Sequence, residues 1–247
     1  MKISVIIPAL NEAGDILPCL RSVENQAGEF ELIVVDGGSV DGTVEAVEPH
    51  ARVIRSERGR AVQMNSGARH STGEVLLFLH ADSQLPPRAF PLLERVLADP
   101  RIVGGTFRLR FKSDKYLLWL IALFSRFKFG YFHYGDQGIF VRRSVFEQLN
   151  GFVEIPFVED VDFLQRLRRT GRVALLGQSI TTSARRFLKR GIIRQQLTNI
   201  TLVILYLLGA RPEDLKKWYE RKEDRGVRER KPCQALQGEL WLPSMKK

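Results

Sequence analysis

The first half of the chain alternates two hydrophobic rhythms. Short apolar, β-branched runs occur at Ile3–Ile7, Glu31–Val35, Arg52–Arg55 and Val75–Leu79, each the length of a strand. Between them apolar residues fall at helical spacing: Ile16, Leu20 and Val23, then Val44 and Val47, then Ala61, Met64 and Ala68. The resulting βαβαβαβ order predicts an α/β fold, a mostly parallel central sheet with helices on both faces. Right-handed crossovers return each helix onto the sheet it left.

The second half is less regular. A helix is expected near Pro87 to Ala98 and a strand near Ile102 to Leu109, followed by an aromatic-rich segment from Tyr116 to Tyr134 and a strand over Gly138 to Arg142. Ser144 with Glu147 makes a capping-box signature for a short helix that Gly151 ends, and Val161, Leu164 and Leu167 mark another helix stopped at Gly171. Past Arg211 one or two charged helical turns precede a stretch without periodicity. The expected organisation is a catalytic domain over residues 1–190, a basic and apolar helical extension over 191–225, and a poorly ordered tail over 226–247.

Charge sharpens this picture. The 247 residues carry a net +10, and residues 184–231 hold 14 Lys and Arg against 6 Asp and Glu. That segment suits an anionic membrane face, a phosphorylated substrate or nucleic acid, and charge alone does not choose. Nucleic acid is disfavoured, because the segment lacks an interleaved aromatic platform or a helix-turn-helix pattern. Cys19 and Cys233 form no disulfide or Cys-x-x-Cys framework and the four histidines are scattered, which fits a cytoplasmic setting. Pro8 and the acidic residues after it are unlike a signal peptide. The apolar runs Leu117–Phe124 and Leu202–Leu208 fall short of the ~20 residues that span a bilayer. With Trp119, Arg126 and Lys128 nearby, they read as interfacial elements at the inner face of a membrane, or equally as buried helices or a homo-oligomer surface.

Ligands of open parallel α/β sheets bind beyond the carboxyl ends of the strands. Those ends carry Pro8-Ala-Leu-Asn-Glu12, Asp36-Gly-Gly-Ser-Val-Asp-Gly-Thr43, Arg55 and His80-Ala-Asp82. Each has an ordinary reading: Asp36 as a turn aspartate, Thr43 as a helix cap, Arg55 as half of an exposed salt bridge. As a set and in this order, Ser4 to Glu12, Val34 to Thr43 and Gly73 to Asp82 resemble glycosyltransferase family 2, the GT-A group of inverting sugar transferases. Gly138-Ile-Phe-Val-Arg-Arg143, Gly151-Phe152 and Val158-Glu-Asp-Val-Asp162 extend the resemblance, which covers about residues 1 to 190. Arg58 to Gly67 and His80-Ala-Asp82 resemble a branch found beside radical-SAM and selenodomain genes.

The resemblance implies a GT-A nucleotide-diphospho-sugar transferase fold and assigns roles. Asp36 meets the nucleobase; Pro8, Asn11 and Glu12 face the nucleoside; Arg55, Gly59 and Arg60 supply a third nucleotide contact. Arg185 and Arg186 reach the diphosphate, or belong to a solvated basic face. Asp82 holds a divalent metal, Mg2+ or Mn2+, and Asp160 is the general base with Glu159 supporting it. The plain alternative for Glu159 and Asp160 is a helix N-terminus favoured by the dipole. Asp136 and Gln137, with Arg142 and Arg143 after them, fall where the family builds its acceptor wall. His80 stands where the family's Asp-x-Asp has its first aspartate, so it either bonds the ribose or is a packed histidine.

The implied activity is inverting transfer from a nucleoside-diphosphate sugar to an acceptor, a lipid-linked one among the options. It is non-processive, since Gln195-Gln-Leu-Thr-Asn199 does not supply a Gln-x-x-Arg-Trp signature. A nucleotidyltransferase would open with a glycine-rich phosphate loop, which Pro8 to Glu12 is not. A catalytically silent nucleotide-sugar-binding or membrane-associated scaffold is the other rival, and retained Asp82, Glu159 and Asp160 speak against it.

Overall fold

A computed structural model describes residues 1–124 and 137–219. Asp136, Arg126, Lys128, Cys233 and the tail expected over 226–247 lie outside the described residues. In chain order the strands are β1 (Ile3–Ala9), β2 (Phe30–Asp36), β3 (Arg52–Arg55), β4 (Val75–Phe78), β5 (Ser83–Gln84), β6 (Ile102–Lys112), β7 (Ile139–Arg142) and β8 (Arg172–Ser183). They form one sheet in the order β3-β2-β1-β4-β7-β6-β8-β5. The four strands of the first half pair in parallel, as their alternation with helices requires. Strand order reverses at β1, so the crevice beyond the carboxyl ends of β1 and β4 is the natural ligand site. β7 runs antiparallel to both β4 and β6, and β8 returns parallel to β6.

All seven residues of β1 are buried, so side chains leaving either face of the sheet enter a core. One face, with Ile3, Val5, Ile7 and Leu77, is covered by α1 (Ile16–Glu24), α2 (Thr43–Val47) and α4 (Ala89–Leu97). The other, with Ile6, Val35, Leu76 and Phe78, is covered by α3 (Arg60–Arg69), α6 (Arg143–Gln148) and α7 (Glu159–Thr170). There Phe152 packs edge-on to Phe78 at 4.9 Å and lies 4.4 Å from Phe163, which fixes the start of α7 against the sheet. A third cluster joins α5 (Tyr116–Phe124) and α8 (Arg185–Arg190) over the far end of β6 through Leu109, Phe111, Leu118 and Phe187. α9 (Ile192–Leu207) follows, and the Tyr206 hydroxyl donates to Asp162 Oδ1 at 3.0 Å, tying α9 to α7. Residues 212–219 are again helical. No helix among the described residues is long and apolar enough to cross a membrane.

Two strands lie outside the expected set. β8 is twelve residues long, but its partner β6 breaks register between Thr106 and Arg108, and such bulges erase a two-residue rhythm. β5 has only two residues, too few for any periodicity. The capping box at Ser144 does not form: α6 begins at Arg143, and no side chain caps it. The Arg143 backbone N–H donates instead to Glu74 O at 2.9 Å, so contact with the sheet sets where this helix starts.

Candidate active site

A cleft of about 410 Å³ opens beyond the carboxyl ends of β1 and β4. Pro8 and Glu12 line it from the β1–α1 loop, Arg58, Gly59, Arg60 and Gln63 from the start of α3, and His80 and Asp82 from the end of β4. Thr182, Ser183 and Arg186 close it from the β8–α8 side, and Asn199 of α9 reaches its wall.

The nucleotide-side loops are held by polar side chains. Gln63 is buried, and its amide nitrogen donates to Ala9 O and Val35 O, both at 2.8 Å, where β1 and β2 end. Asp36 accepts from the backbone N–H of Gly38 at 3.0 Å and of Ser39 at 3.1 Å, and so shapes its own turn. Gly38 sits at φ +94°, a conformation that favours glycine. Asn11 lashes this loop to the first: its Oδ1 accepts from Val40 N, and its own N–H donates to Ser39 Oγ, both at 2.9 Å.

Asp82 meets two hydroxyls at Oδ1, Ser83 Oγ at 3.2 Å and Thr182 Oγ1 at 3.4 Å. Glu12 stands beside it and pairs with Arg185 at 2.9 Å, while Arg185 also reaches Asp15 at 3.0 Å. Burial pushes the Glu12 carboxyl above its ordinary value; Arg185 opposes this, and the nearby charges of Asp82 and Asp15 add to it. Asp82 and Glu12 therefore share one electrostatic neighbourhood.

α7 delivers the second acidic pair. Val158, just before it, has φ +60°, a left-handed backbone that a β-branched side chain adopts only at a cost. That turn places Glu159 and Asp160 in the first turn of the helix, both buried. Arg60 Nε lies 3.2 Å from Glu159 Oε1 and Nη1 lies 3.7 Å from Asp160 Oδ2. Burial raises the Glu159 carboxyl; Arg60 opposes, and Asp160 adds to the rise. Asp160 lines a smaller space of about 100 Å³ under α9, whose walls Arg60, Arg186 and Asn199 also border the main cleft.

The fold thus brings Pro8, Glu12, Gly59, Arg60, His80, Asp82 and Arg186 into one cleft, with Glu159 and Asp160 in the adjoining space and Arg185 on Glu12. Asp36, Asn11 and Arg55 come from the same strand ends but stand outside the lining, and Arg55 is exposed at the end of β3. Gln137 is fully buried and lines neither space. Arg142 and Arg143 stand at the opposite rim, because β7 runs against β4. There Arg142 donates to Ile102 O at 2.9 Å, and Arg143 donates to Gly73 O at 2.6 Å. Gln63, Thr182, Ser183 and Asn199 are lining residues that sequence reasoning missed. For Gln63 a signal existed, a polar residue beside Met64 in a helix with a buried apolar face. Among the described residues no three His, Cys, Asp or Glu side chains group to hold a metal ion.

Solved structures define the class. Staphylococcus aureus TarS, residues 1–349 in complex with UDP, superposes with a TM-score of 0.63 at 20% identity, over 74% of this chain and 60% of that one. The mannosyltransferase PcManGT from Pyrobaculum calidifontis, in complex with GDP-Man and Mn2+, superposes with a TM-score of 0.55 at 26% identity, over 73% and 56%. The architecture is the GT-A fold of glycosyltransferases. The model of glycosyl transferase family 2 matches residues 4–149, and the chain belongs to that family. A PGL/p-HBAD biosynthesis glycosyltransferase of Mycobacterium bovis is 42% identical over 91 residues, 33% of this chain and 36% of the relative. Glycosyltransferase AglE of Haloferax volcanii is 35% identical over 91 residues, 32% of this chain and 30% of the relative. The chain spans about a third of the length of these curated relatives.

Proposed function

We propose that the chain transfers a sugar from a nucleoside-diphosphate sugar to an acceptor hydroxyl, with inversion at the anomeric carbon. The observation that carries this reading is the meeting of Asp82, Arg60 and Arg186 around one cleft, with Asp160 in the space that shares its walls. The nucleotides named with TarS and PcManGT, UDP and GDP-Man, support a donor of that chemistry.

Pro8 and Glu12 bound the nucleoside side, and Asp36 holds the turn that meets the base. Arg186 offers a guanidinium fork to the diphosphate, with Arg185 beside Glu12. In the transfer step the acceptor oxygen bonds to the anomeric carbon while the bond from that carbon to the phosphate oxygen breaks, and its electron pair leaves with the diphosphate. The acceptor proton passes to Asp160, a contribution of roughly 10²–10⁴-fold for a positioned base. Glu159, whose carboxyl burial raises above its ordinary value against the pull of Arg60, supports that carboxylate from the preceding position.

A divalent ion, Mg2+ or Mn2+, would be held at Asp82, whose charge acts on the neighbouring Glu12. Such hard ions take one or two carboxylates and complete their shell with phosphate and water, so a cluster of three protein ligands is not required. When bound, the ion neutralises charge on the departing diphosphate.

The test is a diphosphate-release assay over UDP-, GDP- and TDP-sugars, with and without EDTA, on wild type and Asp160→Asn. The variant is expected to hold donor with unchanged Kd while turnover falls by roughly 10²–10⁴-fold. Undiminished turnover would overturn the base assignment, and no release from any donor would overturn transfer itself.

A further inference from the structure

α9 has two unlike faces. Gln195, Thr198, Leu202 and Val203 are buried against the body, and Asn199 borders both the cleft and the space around Asp160. On the outer side Ile193 (63% exposed), Leu197 (58%), Ile204 and Leu208 (79%) face solvent. Their spacing keeps them in one stripe, about 22 Å long at 1.5 Å rise per residue. Leu188 of α8 is exposed as well. α5 shares a hydrophobic cluster with Phe187 and Ile192, and it exposes Tyr116 and Trp119, whose rings stack at 5.4 Å. An exposed apolar stripe such as that of α9 marks an interaction site.

Charge selects the occupant. On α8 and α9, Lys189 and Arg194 are exposed, and neither helix carries an acidic side chain. A second copy packed about a twofold axis would set this basic surface against itself. An anionic bilayer complements it, while the apolar stripe enters the headgroup boundary. α9, at sixteen residues, has the length to lie along such a surface.

We propose that the outer face of α8 and α9 docks on an anionic lipid bilayer, so that the helix walling the cleft rests on the surface that presents the acceptor. The acceptor clause rests on the transfer reading; the docking clause does not.

The experiment is flotation of the full chain with phosphatidylglycerol/phosphatidylcholine vesicles and with phosphatidylcholine alone. Wild type is expected to float with the anionic vesicles and to lose binding as salt rises. Ile193→Glu/Leu197→Glu/Ile204→Glu is expected to weaken binding at least about tenfold, because each change removes an aliphatic side chain from the lipid boundary. Lys189→Glu/Arg194→Glu tests the charge half independently, should the first variant fold poorly. Absence of flotation, flotation indifferent to both variants, or a concentration-dependent dimer abolished by the stripe variant would each overturn docking. Diphosphate release in solution separates the readings: turnover without flotation removes docking alone, and flotation without turnover removes transfer alone.

Discussion

Glu159 shows what it costs to build this site from single residues. Burial raises its carboxyl above the ordinary value, against the pull of Arg60, so the folded state holds its proton more tightly than the unfolded chain. Its contribution to stability is complete below the ordinary carboxylate range and is lost as pH rises through the raised folded value. Glu159→Gln should therefore raise Tm at pH 7 over wild type, by a margin that shrinks toward pH 4, as scanning calorimetry across that range would read. A lower Tm at pH 7 would mean that the Arg60 ion pair outweighs burial. Val158 poses a related conflict: its left-handed backbone carries a cost of about 1–2 kcal/mol for a residue with a Cβ. Val158→Gly should leave stability within about 1 kcal/mol of wild type, the relief being offset by glycine's greater freedom when unfolded. Turnover should still fall, because the turn that aims Asp160 is no longer restricted.

Among elements, β6 is packed closely against its neighbours at Gly104 and Gly105. A methyl on Gly105 would meet the Ala174 carbonyl carbon at 2.9 Å and the Phe140 ring at 2.6 Å, and both belong to flanking strands that cannot retreat. Gly105→Ala should lower stability by about 1–3 kcal/mol in denaturant titrations, the usual scale of overpacking. β1 and β4 were legible in the chain because burial on both faces made them continuous apolar runs, and β2 and the edge strand β3 because their β-branched residues stand between helical spacings. β8 was not, since its bulged pairing with β6 removes alternation. The direction of β7 was equally hidden: Gly138 to Arg142 reads the same either way, and only the pairing with β4 sends Arg142 and Arg143 to the rim away from the cleft. The same limit divides the site. Glu12, His80 and Asp82 follow strands whose ends could be read, whereas Thr182 and Ser183 belong to the strand that could not.

At the scale of the whole molecule, donor chemistry should register as stability. A ligand at about 100 times its Kd adds about 2.7 kcal/mol to a site that only the folded chain possesses. The preferred nucleotide-sugar should accordingly raise Tm in the presence of Mn2+, and EDTA should remove much of that gain; a shift indifferent to EDTA would set the ion aside from donor binding. The parallel strands also give the body a direction. β1 runs toward the cleft, so Met1, its amine 3.7 Å from Glu94, belongs to the rim where Arg143 grips the Gly73 carbonyl. A tether joined at Met1 would hold the protein by the rim away from the cleft and leave the mouth open to the bulk phase, whereas anchoring through the helices that follow β8 would set the wall of that mouth against the support.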